Sequence, residues 1–178
     1  MSAAPTIEPI TWETLAREHW TGIYRYAYHL AGNRADAEDL AQDTFVRAFA
    51  ALDSKGPGSM EGWLRRICHN LFLDRARRAA RIRMQAIGEA EERLEDPASD
   101  PVRQFEHRNL DVDVRQALTD LPEEFRAPVV LFGIDGHSYE ETAQLLGVKL
   151  GTVRSRIHRA KSMLRQSLEQ TRQASLVS

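Results

Sequence analysis

Apolar side chains recur every three to four residues along almost the whole chain, and nowhere do they alternate with polar ones over a strand's length. That period commits the chain to helices, so the expected fold class is all-α. Leu15, His19, Ile23, Ala27 and Leu30 share one face of a first helix from about Trp12 to Ala31, and Gly32 is a natural stop. Asn33 suits the cap of a second helix, with Asp36, Glu38 and Asp39 near its positive end. That helix would bury Ala37, Leu40, Ala41, Thr44, Ala48 and Leu52, then end in the loop-like run Asp53-Ser-Lys-Gly-Pro-Gly-Ser. A third helix, with room for one break, is expected over about Glu61 to Arg83 on the apolar positions Trp63, Leu64, Ile67, Leu71 and Phe72.

The pattern then lapses. Residues 84–108 carry seven acidic side chains between Glu89 and Glu106, with Pro97 and Pro101 among them. Such a segment reads as a flexible acidic linker. Leu110, Val114, Ala117 and Leu121 restart a helical stripe. Pro122 suits a helix start, and Pro128 should kink or shorten the helix that contains it. The organisation expected is two small helical domains, over 11–83 and 109–170, with a flexible N-terminus at 1–10, the linker at 84–108 and a tail at 171–178.

Bulk properties exclude more than they assign. A net charge of −2 across 178 residues does not by itself predict nucleic-acid binding, so the distribution of charge matters more than its sum. No apolar run approaches the roughly 18 residues of a membrane helix, and no signal-peptide layout opens the chain. A cytoplasmic location is therefore expected. Cys68 is the only cysteine and the six histidines are scattered, so neither a disulfide nor a metal site is expected. Cys68 and His69 are helix neighbours that cannot face each other as a nucleophile and base. With no phosphate-binding glycine loop either, neither enzymatic activity nor a cofactor is expected.

Two segments carry chemistry. Ser138-Tyr-Glu-Glu141 is a capping box opening a short helix, with Tyr139, Ala143 and Leu146 on one face and Gly147 as its stop. A second helix from about Gly151 buries Val153, Ile157, Ala160, Leu164 and Leu168 beside a row of basic residues. Two short helices across a glycine turn, the second basic, make a DNA-reading helix-turn-helix. Arginine reads guanine bidentately, and Thr152 or Ser155 can bond a phosphate or a base edge. An ordinary helical hairpin with a solvated basic face is the competing reading. The other segment runs from Glu61 to Arg83, where seven arginines, Arg65 among them, oppose only Glu61 and Asp74. Trp63 and Phe72 are interleaved, and arginines with aromatics suit unpaired nucleic acid. Both aromatics fit a plain core role equally well.

These residues together resemble a known family. Asp36-Ala-Glu-Asp-Leu-Ala-Gln-Asp-Thr-Phe45 and Trp63-Leu-Arg-Arg-Ile-Cys-His-Asn70, with Asp74 and Arg75, are similar to region two of extracytoplasmic-function sigma factors. Leu121-Pro-Glu-Glu-Phe-Arg126, Ser138-Tyr-Glu-Glu141 and Gly151-Thr-Val-Arg-Ser-Arg-Ile-His-Arg-Ala160 are similar to their region four. The resemblance implies a factor that binds core RNA polymerase through Asp39, Gln42 and Asp43. It implies a minus-ten contact to the melted non-template strand, with Trp63, Arg66, Asn70, Arg75, Arg77 and Arg78 expected to line it. It implies duplex reading of the minus-thirty-five element by Arg154, Ser155, His158 and Arg159, flanked by Lys149 and Thr152. It also implies control by an anti-sigma factor. Lys149 stands where relatives often place a capping Ser or Thr, which weakens the helix start by about 1 kcal/mol. The alternative is a conventional helix-turn-helix regulator binding duplex DNA alone, which would leave the N-terminal half without a role.

Overall fold

The computed structural model describes residues 11–52, 59–86 and 112–177, and among them the only regular structure is helical. Helix α1 spans Trp12–Ala31, α2 Arg34–Ala51, α3 Met60–Ala86, α4 Val112–Asp120, α5 Glu123–Val129, α6 Tyr139–Leu146 and α7 Leu150–Val177.

Local chemistry sets most of these boundaries. Thr11 and Thr14 cap α1 reciprocally, and Gly32 ends it at φ 81°, a left-handed conformation that favours glycine. The Asn33 side chain accepts the Asp36 backbone N–H at 2.9 Å and so caps α2. Helix α3 is unbroken and runs three residues past Arg83. Residues 84–86 of the expected linker are therefore helical, while 87–108 lie outside the described residues, as does the N-terminal segment 1–10. At the other end α7 continues to Val177, so the expected tail is mostly helix. The reason is composition: from Thr152 to Val177 there is no glycine or proline, and arginine, a good helix former, is the commonest residue.

Pro128 acts as expected of a proline inside a helix, with a specific outcome. Helix α5 stops at Val129, and a π-helical turn follows over Val130–Ile134. Pro128 has no N–H to give to the preceding turn. The chain widens instead, and the Asp135 N–H reaches the Val130 carbonyl five residues back at 2.9 Å.

Helices α1, α2 and α3 form a three-helix bundle around Ile23, Tyr26, Leu30, Leu40, Phe45 and Leu64. Helices α4 to α7 pack around Leu118, Leu121, Phe125 and Ala160, with Val153 and Ile157 beneath the helix-turn-helix. The two units touch. Ala127, Val130, Leu131 and Leu146 of the second are buried in the core of the first. The sequence signals two domains but not this shared core.

Candidate polymerase and nucleic-acid interfaces

On α2 the buried stripe Ala37, Leu40, Ala41, Thr44, Phe45 and Ala48 turns Asp39, Gln42 and Asp43 outward, and all three are exposed. Val46 and Phe49 continue that outer side and are 61% and 46% exposed. The Trp12 ring stands edge-on to Phe49 at 5.9 Å between centroids. The outer side of α2 thus carries acidic groups in its first half and two exposed apolar side chains, with Arg47 between them, in its second.

Helix α3 sorts its arginines into two kinds. Arg66, Arg77 and Arg78 are exposed, as is Asn70, while Arg75 is half-buried. Arg77 pairs with Asp74 at 3.4 Å, and Arg75 pairs with Asp43 of α2 at 2.5 Å. That last pair ties a residue expected on the minus-ten surface to one expected on the polymerase surface. Arg65 is of the other kind. Its guanidinium is buried against Asp135 and Glu61, which removes it from the nucleic-acid surface counted from sequence. Phe72 is core, only 8% exposed, under the guanidinium of Arg126. Trp63 is half-buried and packs on the same core.

The helix-turn-helix forms as its sequence signals require. The Ser138 hydroxyl accepts the Glu141 N–H at 3.1 Å, and the Glu141 carboxylate accepts the Ser138 N–H at 2.7 Å. The backbone hydrogen bond to Ser138 holds the Glu141 pKa below its ordinary value. Gly147, at φ 66°, turns the chain, and the Val148 N–H closes on the Ala143 carbonyl at 3.1 Å. Helix α7 begins one residue earlier than Gly151, at Leu150. The Lys149 carbonyl accepts the first helical N–H groups, from Thr152 at 2.9 Å and Val153 at 3.2 Å. Leu150 is half-buried, and Lys149 is exposed beside it.

Val153, Ile157 and Ala160 are buried, which turns Arg154, Ser155, His158 and Arg159 outward on one exposed face, with Thr152 half-buried at its edge. Arg154 is loosely held, 3.7 Å from Glu140 and 6.0 Å from the Tyr139 ring centroid. The Ser155 hydroxyl donates to the Thr152 carbonyl at 3.0 Å, leaving its lone pairs for a partner. The face therefore offers two arginines, a histidine and a hydroxyl at the spacing of a recognition helix.

The described residues hold no cluster of three metal-type ligands. Cys68 is fully buried, and burial pushes its thiol up to about 12. That thiol is not a nucleophile at neutral pH.

Comparison with known proteins accounts for both halves. Residues 15–82 match the family description Sigma-70 region 2, and residues 111–164 match Sigma-70, region 4. The ECF RNA polymerase sigma factor EcfG of Rhodopseudomonas palustris is 38% identical over 78% of this chain and 75% of its own length. The chain belongs to the ECF sigma factors. The ECF sigma factor SigE of Mycolicibacterium smegmatis is 51% identical over 89% of this chain, which spans 62% of that relative's length. Among solved structures, the sigma factor RpoE in complex with the anti-sigma factor NepR, from Bartonella quintana, superposes with a TM-score of 0.68. It is 29% identical, and the match covers 89% of this chain and 96% of that one. Helices α1 to α3 are thus region two of an ECF sigma factor, and α4 to α7 are region four. A conventional duplex-binding regulator leaves the region-two match unexplained.

Sequence reasoning missed one residue of consequence. Arg126 donates from Nη1 to the Leu30 carbonyl at 2.6 Å, from Nη2 to the Thr119 carbonyl at 2.6 Å, and from Nε and Nη2 to the Leu121 carbonyl at 3.1 and 2.9 Å. It joins region four to the C-terminal end of α1. The only signal in the sequence was its place in the Leu121-to-Arg126 motif.

Proposed function

We propose that this protein binds core RNA polymerase, directs it to specific promoters for transcription initiation, and is held in check by an anti-sigma factor. The observation that carries this reading is a single chain with a region-two bundle and a region-four helix-turn-helix whose basic recognition face points to solvent. Relatives support the regulatory half: RpoE was solved with the anti-sigma factor NepR, and CnrH, 28% identical with a TM-score of 0.56, with the cytosolic domain of CnrY.

In this reading 11–83 is the polymerase-binding and minus-ten unit and 109–170 the minus-thirty-five unit. Arg66, Asn70, Arg77 and Arg78 meet the melted strand, with Trp63 and Arg75 beside them. Asparagine offers both a donor and an acceptor to an extruded base. Arg154, Ser155, His158 and Arg159 enter the major groove, and Lys149 and Thr152 meet flanking phosphates. The protein acts by binding rather than by catalysis, in the compartment that holds the polymerase. Its one thiol, Cys68, is buried and stays protonated, which fits that role.

The direct test is transcription from a genomic promoter library by purified core polymerase, with and without the protein. Arg154→Ala and Arg159→Ala should each lose about 1–3 kcal/mol of discrimination at one or two upstream positions. Unchanged preference over a randomised upstream element would remove α7 from the groove.

The polymerase surface is tested separately. Changing Asp39, Gln42 and Asp43 together to alanine should weaken co-purification with core polymerase at least tenfold while leaving the helical circular dichroism intact. The variant also frees Arg75 from its pair with Asp43. Undiminished co-purification would place the polymerase contact elsewhere.

A further inference from the structure

Two aromatic rings flank the recognition face of α7. Phe132 lies in the π-helical turn and Tyr139 opens α6, and their rings stack with centroids 4.4 Å apart and planes 28° from parallel. Both are half-buried and pack on Ala143, Val153 and Ile157. Local chemistry puts them there. Val130 and Leu131 are taken up by the region-two core, so the next residue, Phe132, faces the helix-turn-helix. The reciprocal cap between Ser138 and Glu141 fixes the backbone at Tyr139, the first residue of α6.

Each ring meets a cation of α7. The Arg154 guanidinium carbon is 6.0 Å from the Tyr139 centroid, and the Lys161 ammonium is 5.2 Å from that of Phe132. Arg154 and Lys161 are nearly two full turns apart, so they stand in line along the helix. The contacts run cation, ring, ring, cation. A ring face attracts a cation, and the planar guanidinium of arginine also stacks on it. Glu140 adds a carboxylate 3.7 Å from Arg154. Both of those side chains are 61% exposed, and an ion pair so open to water gives little direction. Arg159 points about 140° away from Arg154 round α7, on the far side of the face from both rings.

A free arginine samples many rotamers, and binding must freeze them. A side chain already held near one direction gives up less freedom on contact with DNA. We propose that the stacked Phe132 and Tyr139 form a platform that holds Arg154 in its base-reading direction, so that both are positioning residues for specificity at the base pair Arg154 reads. Tyr139 acts through its ring face. Phe132, with Lys161 against it, keeps that ring in place. The effect on reading rests on the sigma-factor function proposed above; the hold of the ring on Arg154 does not.

The hold is read by NMR of the full chain. The Arg154 side-chain protons should lie upfield, through the ring current, in wild type and in Tyr139→Phe. In Tyr139→Leu they should return to ordinary arginine shifts. The effect on reading is measured with holoenzyme on a promoter library randomised over the upstream element. Tyr139→Leu should lose about two- to fivefold of the preference at the positions where Arg154→Ala loses it. Tyr139→Phe should lose almost none. Positions governed by Arg159 should be unchanged, and Tyr139→Leu should add nothing to Arg154→Ala. Circular dichroism checks that each variant is folded. Phe132→Leu is the second variant should Tyr139→Leu unfold, with a smaller loss at the same positions. Ordinary shifts for the wild-type Arg154 protons overturn the platform. Displaced protons with unaltered preference in the folded leucine variants overturn the positioning role. A loss spread equally over the Arg154 and Arg159 positions overturns it too, as does a Tyr139→Phe as impaired as Tyr139→Leu. A wild-type holoenzyme that initiates nowhere sinks the sigma-factor reading and the positioning role with it, while the proton shifts still decide the platform.

Discussion

Replacing Arg126 by alanine is expected to cost the fold about 3 kcal/mol, against about 1 kcal/mol for an average substitution. Arg126 is 9% exposed, and its guanidinium satisfies three carbonyls belonging to two different regions: Leu30 in region two, Thr119 and Leu121 in region four. Leu30 lies in the last turn of α1, where carbonyls have no partner within the helix and a cation is favoured. Burial works against this charge and lowers the Arg126 pKa, so the carbonyls are what hold it in place. Truncation strands those acceptors at about 1–3 kcal/mol each, offset in part by water entering the space. The contact with the Phe72 ring, 5.4 Å from the guanidinium carbon, is lost as well. Lysine should recover less than half of the loss, because a single ammonium cannot reach three carbonyls in a fixed fork. Guanidinium unfolding at pH 7 reads this directly. A loss under 1 kcal/mol for Arg126→Ala would mean that the three carbonyls are hydrated without it.

The residues that were legible from sequence are those whose role is local. Asn33, Gly32, Ser138, Glu141 and Gly147 set helix ends through contacts within a few residues, and a chain read in windows of that size contains the whole signal. The recognition face was legible for the same reason. Val153, Ile157 and Ala160 are buried at helical spacing, so Arg154, Ser155, His158 and Arg159 had to point away. Arg65 misled because it sits among solvated arginines and its partner, Asp135, is 70 residues further on. Nothing within a turn of either residue marks it as half of a buried pair. Phe72 stayed open for a related reason: an aromatic between arginines suits stacking or core, and its burial beneath Arg126 decides for core. The π-helical turn was half legible. Pro128 announces an interruption, but widening rather than ending the helix depends on Val130 and Leu131 finding the region-two core.

Between pH 6.5 and pH 4 the protein should lose stability in a way that traces largely to His69. This imidazole is 3% exposed, its Nδ1 has no hydrogen-bond partner, and its pKa is lowered from 6.5 to about 4. Burial is the main cause, and the nearby charges of Arg156 on α7 and Arg77 on α3 add to it. In the unfolded chain the same residue takes a proton near pH 6.5. Across that window the unfolded state therefore binds more protons than the folded one, and stability rises with pH. The contribution is fully present above pH 6.5 and is lost as pH falls toward 4. A shift of this size corresponds to about 3 kcal/mol at pH 4, at 1.36 kcal/mol per unit. His29 acts in the same direction, its pKa also lowered by burial, and leaves a smaller slope when His69 is gone. Leucine at position 69 keeps most of the volume and removes the unpaired nitrogen, so His69→Leu should unfold no more easily than wild type at pH 7. At pH 4.5 it should be more stable than wild type by about 2 kcal/mol. Denaturant unfolding of both proteins at half-unit steps from pH 7.5 to 4.5 measures the two slopes. Parallel slopes would show that His69 is protonated in the folded chain and that Arg156 and Arg77 leave room for its charge.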